Sequence, residues 1–391
     1  MQITKVNVKG FKSLADFEME LSPFTCLIGL NGCGKSTVLQ FFDFLSRLVG
    51  GEVDEWFQER RWLNHEVEGY LGDRKHIVFS IFFSDGSAWE GTYAIWEQRC
   101  IRESIKTETA HILLENGTLN GHVDAEDVPG NSRDALYLKT DLLAYRGSIA
   151  NLIRDDKLPA SVLHLRDFFR GTCAFDAFSP HSLRRRERGT PKSIGKSGEF
   201  LSAYFASISA DTRAQIVKDL VEIYPQLHDV ITIEHPSGNK ELATVERYMV
   251  ENPLTLHEIM VRSDHVNDGF LRTIAMLVEL RGPHNFLLFD EIENGINPES
   301  VDFLIKKLTT SPHQVLVTTH SPMILNYLDD DLARQSVVFL YKGPDGATRA
   351  RRFFEIPSIS EKLEVMGPGE AFVDTNLVAL TEELNAAVAG A

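Results

Sequence analysis

The run Gly29-Leu30-Asn31-Gly32-Cys33-Gly34-Lys35-Ser36 fits the pattern G-x-x-x-x-G-K-[ST]. Glycines at those places let a backbone wrap a β-phosphate, and the amides of a following helix start, which takes in Thr37, donate to it. The Lys35 ammonium would reach the β- and γ-phosphates, and the Ser36 hydroxyl would ligate Mg2+. A second run, Phe286-Leu287-Leu288-Phe289-Asp290-Glu291, puts two acids at the tip of an apolar segment. Asp290 suits a Mg2+ shell, and Glu291 suits the polarising of an attacking water. Such a tip is common by itself and gains weight beside a phosphate loop in the same chain. His320, in Thr318-Thr319-His320-Ser321, ends a further apolar segment and would emerge beside a γ-phosphate. Shortly before the acidic run, Asn267-Asp268-Gly269 opens a helix whose free amides make an anion site.

These residues need elements to hold them. Ile3, Val6 and Val8 mark a first strand, and Phe24 to Ile28 a buried one running into the glycine-rich loop. Val38, Phe41, Phe42, Leu45 and Leu48 then repeat at helical spacing from Ser36 to Leu48, which completes a strand-loop-helix unit. Alternating residues from Ile77 to Phe83 run into Asp85-Gly86, and Ile112 to Leu114 into Asn116-Gly117, so an antiparallel β-lobe is expected. A helix follows over Asp211 to Ile223. Arg184, Arg185, Arg186, Arg188, Lys192 and Lys196 lie among Gly, Ser and Pro and read as a mobile basic loop. Later, Phe270 to Val278 and Pro298 to Leu308 read as helices, and Phe286 to Phe289 and Gln314 to Thr318 as buried strands. Asn297 serves as an N-cap before Pro298. Strand, helix and strand at this spacing imply a parallel pair.

The 391 residues suggest two or three domains at roughly 150 residues each. A hydrophobic fraction of 43% with 25% charged residues supports a full core and argues against wholesale disorder. No apolar run reaches membrane-spanning length and the first residues lack a signal-peptide profile, so a cytoplasmic protein without a membrane partner is expected. Cys26, Cys33, Cys100 and Cys173 are too scattered for a disulfide framework or a zinc site. A net charge of −16 disfavours a general DNA coat and leaves any nucleic-acid contact to local basic patches. Asp329-Asp330-Asp331 has the look of an acidic metal cluster, although consecutive loop carboxylates are usually plain solvated residues.

The order of the motifs, with Asp290-Glu291-Ile292-Glu293-Asn294-Gly295-Ile296-Asn297-Pro298 after the strand, resembles the ABC/SMC-like ATPases of the OLD kind. The likeness covers roughly the first 50 and the last 130 residues. It implies an α/β fold, an ABC-type P-loop ATPase head with a mixed sheet, an antiparallel β-lobe and a mainly helical insertion. The parts would be residues 1–140, the N-terminal half of the head with the lobe; 141–255, the insertion with the basic loop; and 256–391, the C-terminal half. Phe11 and Lys12 resemble residues that flank the nucleotide, Asn294 to Asn297 a D-loop and His320 the switch histidine. Asn267, Asp268 and Gly269 resemble the signature that acts in trans, with Asn267 where the family commonly has Ser. No Q-loop glutamine stands out, Gln58 reading as a surface residue.

The resemblance implies ATP and Mg2+ as cofactors and a homo-oligomer, at least a dimer. The stretch after His320 is shorter than the roughly 100 residues of the Toprim nuclease domain of OLD proteins. A separately encoded effector, expected to be a nuclease, is implied, as in stand-alone anti-phage ATPases such as AriA of PARIS or PtuA of Septu. A phage-derived trigger or nucleic acid is a further expected partner, for which the basic loop is the candidate surface; charge reversal at Arg184 to Arg186 is expected to spare basal ATPase. The competing class is a RecF/SMC-like ATPase of DNA repair or chromosome maintenance.

Overall fold

The computed structural model describes all residues except 73, 116, 124–126, 128–135, 142–145, 154–157, 251–254 and 390–391. The fold is mixed α/β and divides into two compact units, Met1–Cys173 with Asp329–Ala391, and Ala174–Leu328.

In the first unit, Ile3–Lys9 buries Ile3, Val6 and Val8 and leaves Thr4 and Lys9 outside, the alternation of a half-buried strand. It pairs antiparallel with Phe17–Glu20, a short strand that periodicity did not reveal, and with His76–Phe83. Among the described residues, eight strands form this antiparallel sheet. From His76–Phe83 it continues through Ala88–Ala94, Arg99–Lys106, Ala110–Glu115, Thr118–Val123 and Leu136–Asp141. Gly86 supplies the left-handed residue (φ 81°) of the first expected turn. Of the second, Asn116 lies outside the described residues.

Phe24–Ile28 is buried at every position. It runs parallel to Val337–Lys342, Cys26 opposite Val337 and Ile28 opposite Phe339, and Val337–Lys342 in turn pairs antiparallel with Thr348–Arg352. The helix Lys35–Gly50 follows the glycine-rich loop and buries Phe41, Phe42, Phe44, Leu45 and Leu48. It stops at Gly51, which is left-handed and turns its amide onto the carbonyls of Arg47 and Leu48.

In the second unit, Phe286–Phe289 and Gln314–Thr318 are parallel and buried throughout, joined by the helix Pro298–Thr309. Asn297 occupies the N-cap position of that helix with no side-chain cap bond, and Pro298 stands in its first turn. Upstream come Leu201–Ser207 and Ala210–Val221, the latter capped by Ser209. Then Leu227–Glu234, Lys240–Val250 and Thr255–Arg262 form a three-stranded antiparallel sheet, so the stretch expected to be a mainly helical insertion also carries strands. Its outer positions carry Tyr248, Met249, Leu256 and Met260 exposed, so no clean alternation marks it. The turn Pro236-Ser237-Gly238 (Gly238 φ 79°) was its one legible signal.

The basic run is hydrogen-bonded to the rest of its unit at several points. Arg184 donates to the carbonyls of Ser263 and Val266 and pairs with Asp268, Arg185 pairs with Glu187, and Arg186 pairs with Glu241 and Asp264. The amide of Ile194 donates to buried Glu279, and that of Lys240 to the carbonyl of Glu187. Arg184 and Arg186 are thus neutralised by carboxylates that sequence spacing does not bring together. Asp329 likewise serves a helix, capping Asp330–Ser336 by accepting from the amide of Leu332.

Candidate functional site

The phosphate loop gets its shape from three left-handed glycines, Gly29 (φ 147°), Gly32 (φ 76°) and Gly34 (φ 113°). Two of them also sit too close to other groups for any side chain. A Cβ on Gly29 would strike the Leu340 carbonyl, and one on Gly34 would strike the hydroxyl of Thr348. Gly34 is the N-cap of Lys35–Gly50, offers no side-chain cap, and no acid occupies the first turn. The helix start therefore lacks a side-chain cap and presents the positive end of its dipole, which fits an anionic phosphate. Lys35 Nζ donates to the carbonyls of Gly29 (2.9 Å) and Leu30 (3.2 Å) inside the loop. Ser36 and Asn31 are exposed, Thr37 is half-buried, and burial pushes the Cys33 thiol pKa up, against the pull of Lys35.

Behind the loop stands a residue that sequence reading gave no role. Thr348 is buried; its hydroxyl donates to the Cys33 carbonyl (2.8 Å), meets the Ser13 hydroxyl (2.8 Å) and accepts from Lys342 Nζ (3.1 Å). A hydroxyl has one proton and two lone pairs, so with its proton on Cys33 the Ser13 hydroxyl must be the donor to Thr348. Every bonding capacity of Thr348 is thus used to hold the loop.

Phe11 is a core residue, its ring packed against Phe41 and Phe44 at 5.4 and 5.9 Å with no exposed face for a nucleotide. Lys12, left-handed at φ 49°, donates from Nζ to Gln40 of the P-loop helix (3.0 Å) and lies 3.5 Å from the centre of the Trp62 ring. Burial first, and then the Arg60 charge, bring its pKa down to about 8.

In the second unit, Phe289 pairs with Val317, so the next residues along the parallel strands, Asp290 and Thr318, are neighbours. The Thr318 hydroxyl donates to Asp290 Oδ1 and accepts from the amide of Glu291 (2.9 Å), which orients both acids from one group. Glu291 is exposed and left-handed (φ 51°), a conformation that costs a non-glycine residue about 1 kcal/mol or more and persists where neighbours over-determine it. Asn294 Nδ2 approaches Glu291 Oε2 at 3.4 Å. His320 is exposed, and its amide donates to Glu293 Oε1 (2.7 Å), which ties the segment around His320 to the acidic run. Glu293 had no role in the sequence reading; a second acid two residues after Glu291 was the available signal.

Asn267 caps the helix Asp268–Leu280, its Oδ1 accepting from the amides of Gly269 (2.8 Å) and Phe270 (3.3 Å), so its Nδ2 remains for a ligand. Gly269 packs where a Cβ would lie 2.9 Å from the Gly295 carbonyl. The structure therefore gathers Asn267, Asp268, Gly269, Asp290, Glu291 and the amide of His320 around strands and helices of one unit, and Gly29 to Thr37 with Lys12 in the other.

Two families match segments of the chain. "AAA ATPase domain" matches residues 1–92, and "AAA domain, putative AbiEii toxin, Type IV TA system" matches residues 256–326. No curated protein matches it. Among solved structures the chain is similar to the SmcHead bound to the C-winged helix domain of ScpA (14% identity, TM-score 0.48, covering 90% of this chain and 97% of that one). It is also similar to the SMC head domain from Thermotoga maritima (10%, 0.41, 90% and 99%). A third is the Smc head domain with an extended coiled coil bound to the C-terminal domain of ScpA, derived from Pyrococcus furiosus (11%, 0.44, 93% and 99%). Among the described residues no helix is long and apolar enough to cross a membrane. The first match contains the glycine-rich loop and the second runs from before Asn267 past His320, so the two segments that carry the motifs are similar to AAA-type ATPase domains.

Proposed function

We propose that this ATPase is an ATP-driven dimeric switch that controls a separately encoded effector protein, a nuclease in anti-phage defence. The observation that carries the catalytic half of the reading is the Thr318 hydroxyl, which sets Asp290 and Glu291 in register at a strand end. Lys35 and the amides of the helix start bind the phosphates, while Ser36 and Asp290 are the Mg2+ ligands. Bound Mg2+ supplies neutralisation of charge on the β- and γ-phosphates. Glu291 accepts a proton from the attacking water, and His320 lies on the segment anchored by Glu293. The exposed Asn267 and Asp268 at a capped helix start support a signature offered to a second copy of the chain. The effector and the defence role are supported by the motif order; the name of the family matched at 256–326, which refers to a toxin of a TA system, is in keeping with it.

The test is Glu291→Gln. The variant should bind ATP with native affinity, lose turnover by orders of magnitude and accumulate as an ATP-dependent dimer in light scattering. Native turnover would place the base elsewhere. The neighbouring open reading frame tests the effector: a nuclease gene whose product binds the chain supports the reading, and a recombination gene with strongly salt-dependent DNA binding favours the RecF/SMC class.

A further inference from the structure

Arg272 lies in the helix that Asn267 caps and is 7% exposed. Its Nη1 donates to the main-chain carbonyl of Asn294, and the guanidinium fills the place of a side chain on Gly295: a Cβ there would lie 3.0 Å from Cζ and Nη1. Nε has no partner. An arginine buried with a free donor is costly, and an apolar residue of similar volume would pack the same helix face without that cost. Burial holds its guanidinium below the ordinary arginine range, against the pull of Asp268, at the start of its own helix, and of Glu291.

The segment it grips is the one that fixes Glu291. Asn294 gives its carbonyl to Arg272 and turns its side-chain amide toward Glu291 Oε2 (3.4 Å), and its own amide donates to the Glu291 carbonyl (3.0 Å). Glu291 holds a strained left-handed backbone between this contact and Thr318. We propose that Arg272 is a positioning residue that, from the signature helix, fixes Asn294 and through it the carboxylate of Glu291. The inference rests on the ATPase reading, with Glu291 as base. The helix a chain presents to a partner's nucleotide is then the helix that aligns the same chain's own base.

The test measures kcat and KM for ATP on the full-length chain carrying Arg272→Met, Arg272→Lys, Asn294→Ala and the double variants. A base displaced by about 1 Å loses rate by up to about 100-fold, so Arg272→Met is expected to lower kcat 10- to 100-fold with KM unchanged. Arg272→Lys, which keeps the charge and one donor, recovers part of that loss. Because Arg272 acts on the Glu291 carboxylate through the Asn294 side chain, neither Arg272 variant should lower kcat more than about twofold further in the Asn294→Ala background. Asn294 is exposed, so Asn294→Ala folds, and Arg272→Lys in both backgrounds carries the comparison if Arg272→Met does not fold. Native kcat in both Arg272 variants, losses that multiply with Asn294→Ala, or a KM that rises as kcat falls would overturn the proposal. A wild-type chain without ATPase activity would count against the ATPase reading instead.

Discussion

Replacing Thr348 by valine keeps the shape of the side chain and removes the hydroxyl that serves Cys33, Ser13 and Lys342. Lys342 is only half-buried and can turn to water, which leaves it nearly neutral in the balance. Ser13 is buried, and its hydroxyl loses its acceptor, at about 2 kcal/mol; the Cys33 carbonyl loses a donor, at about 1 kcal/mol. The expected cost is about 3 kcal/mol, and at about 2–4 °C per kcal/mol for a unit of this size the melting transition should fall by roughly 6–12 °C. Thr348→Ser is the control, since it keeps the hydroxyl and loses one methyl, at about 1 kcal/mol. A slackened loop should also bind ATP at least about tenfold more weakly, the equivalent of about 1.4 kcal/mol, which calorimetry reads directly. If Thr348→Val melts and binds like Thr348→Ser, the hydroxyl is not what holds the loop.

Lys35→Ala should abolish ATP binding in calorimetry, because it removes the cation folded into the loop. Mixed Lys35→Ala and Asn267→Arg chains should regain ATPase activity that each lacks alone, one site of the heterodimer being intact; Asn267 is chosen over Gly269, where a side chain would also displace Gly295. Failure in a proven heterodimer removes the trans geometry. Arg184→Glu should lower basal ATPase at least tenfold, contrary to what the sequence suggested, since it sets a carboxylate against Asp268 and frees the carbonyls of Ser263 and Val266; native turnover would contradict this. Lys12 has a folded pKa of about 8 against an ordinary 10.5, so the folded chain binds fewer protons than the unfolded one between those values. Its contribution to stability must therefore rise from pH 8 to 10.5. The wild type should gain melting temperature over Lys12→Met across that window, and a constant difference would refute the assignment.

What the sequence made legible was local. Phe286–Phe289 is an uninterrupted apolar run and Phe24–Ile28 is broken only by Thr25, each bounded by turn or acid signals, and the structure has strands over those residues. Asp290 and Glu291 were found by their place at a strand tip. The Thr318 hydroxyl that orients them comes from the neighbouring strand, and no spacing rule links it to them. Arg184 illustrates the same limit more sharply: a run of arginines looks solvated until Asp268, Glu241 and Asp264, remote in sequence, are seen against it. The three-stranded sheet was missed because the alternation of its strands is broken by exposed apolar residues.

The phosphate loop is held by chain segments synthesised far apart. Its strand pairs with Val337–Lys342, and its last turn is closed by Thr348 on Ser13, partners 335 positions apart. On the ribosome, then, the loop leaves the exit tunnel early but lacks its second strand and its brace until nearly the whole chain has followed. Contacts of such separation form late and slowly. A nascent chain stalled before residue 337 should expose an open edge on Phe24–Ile28 and hold no nucleotide.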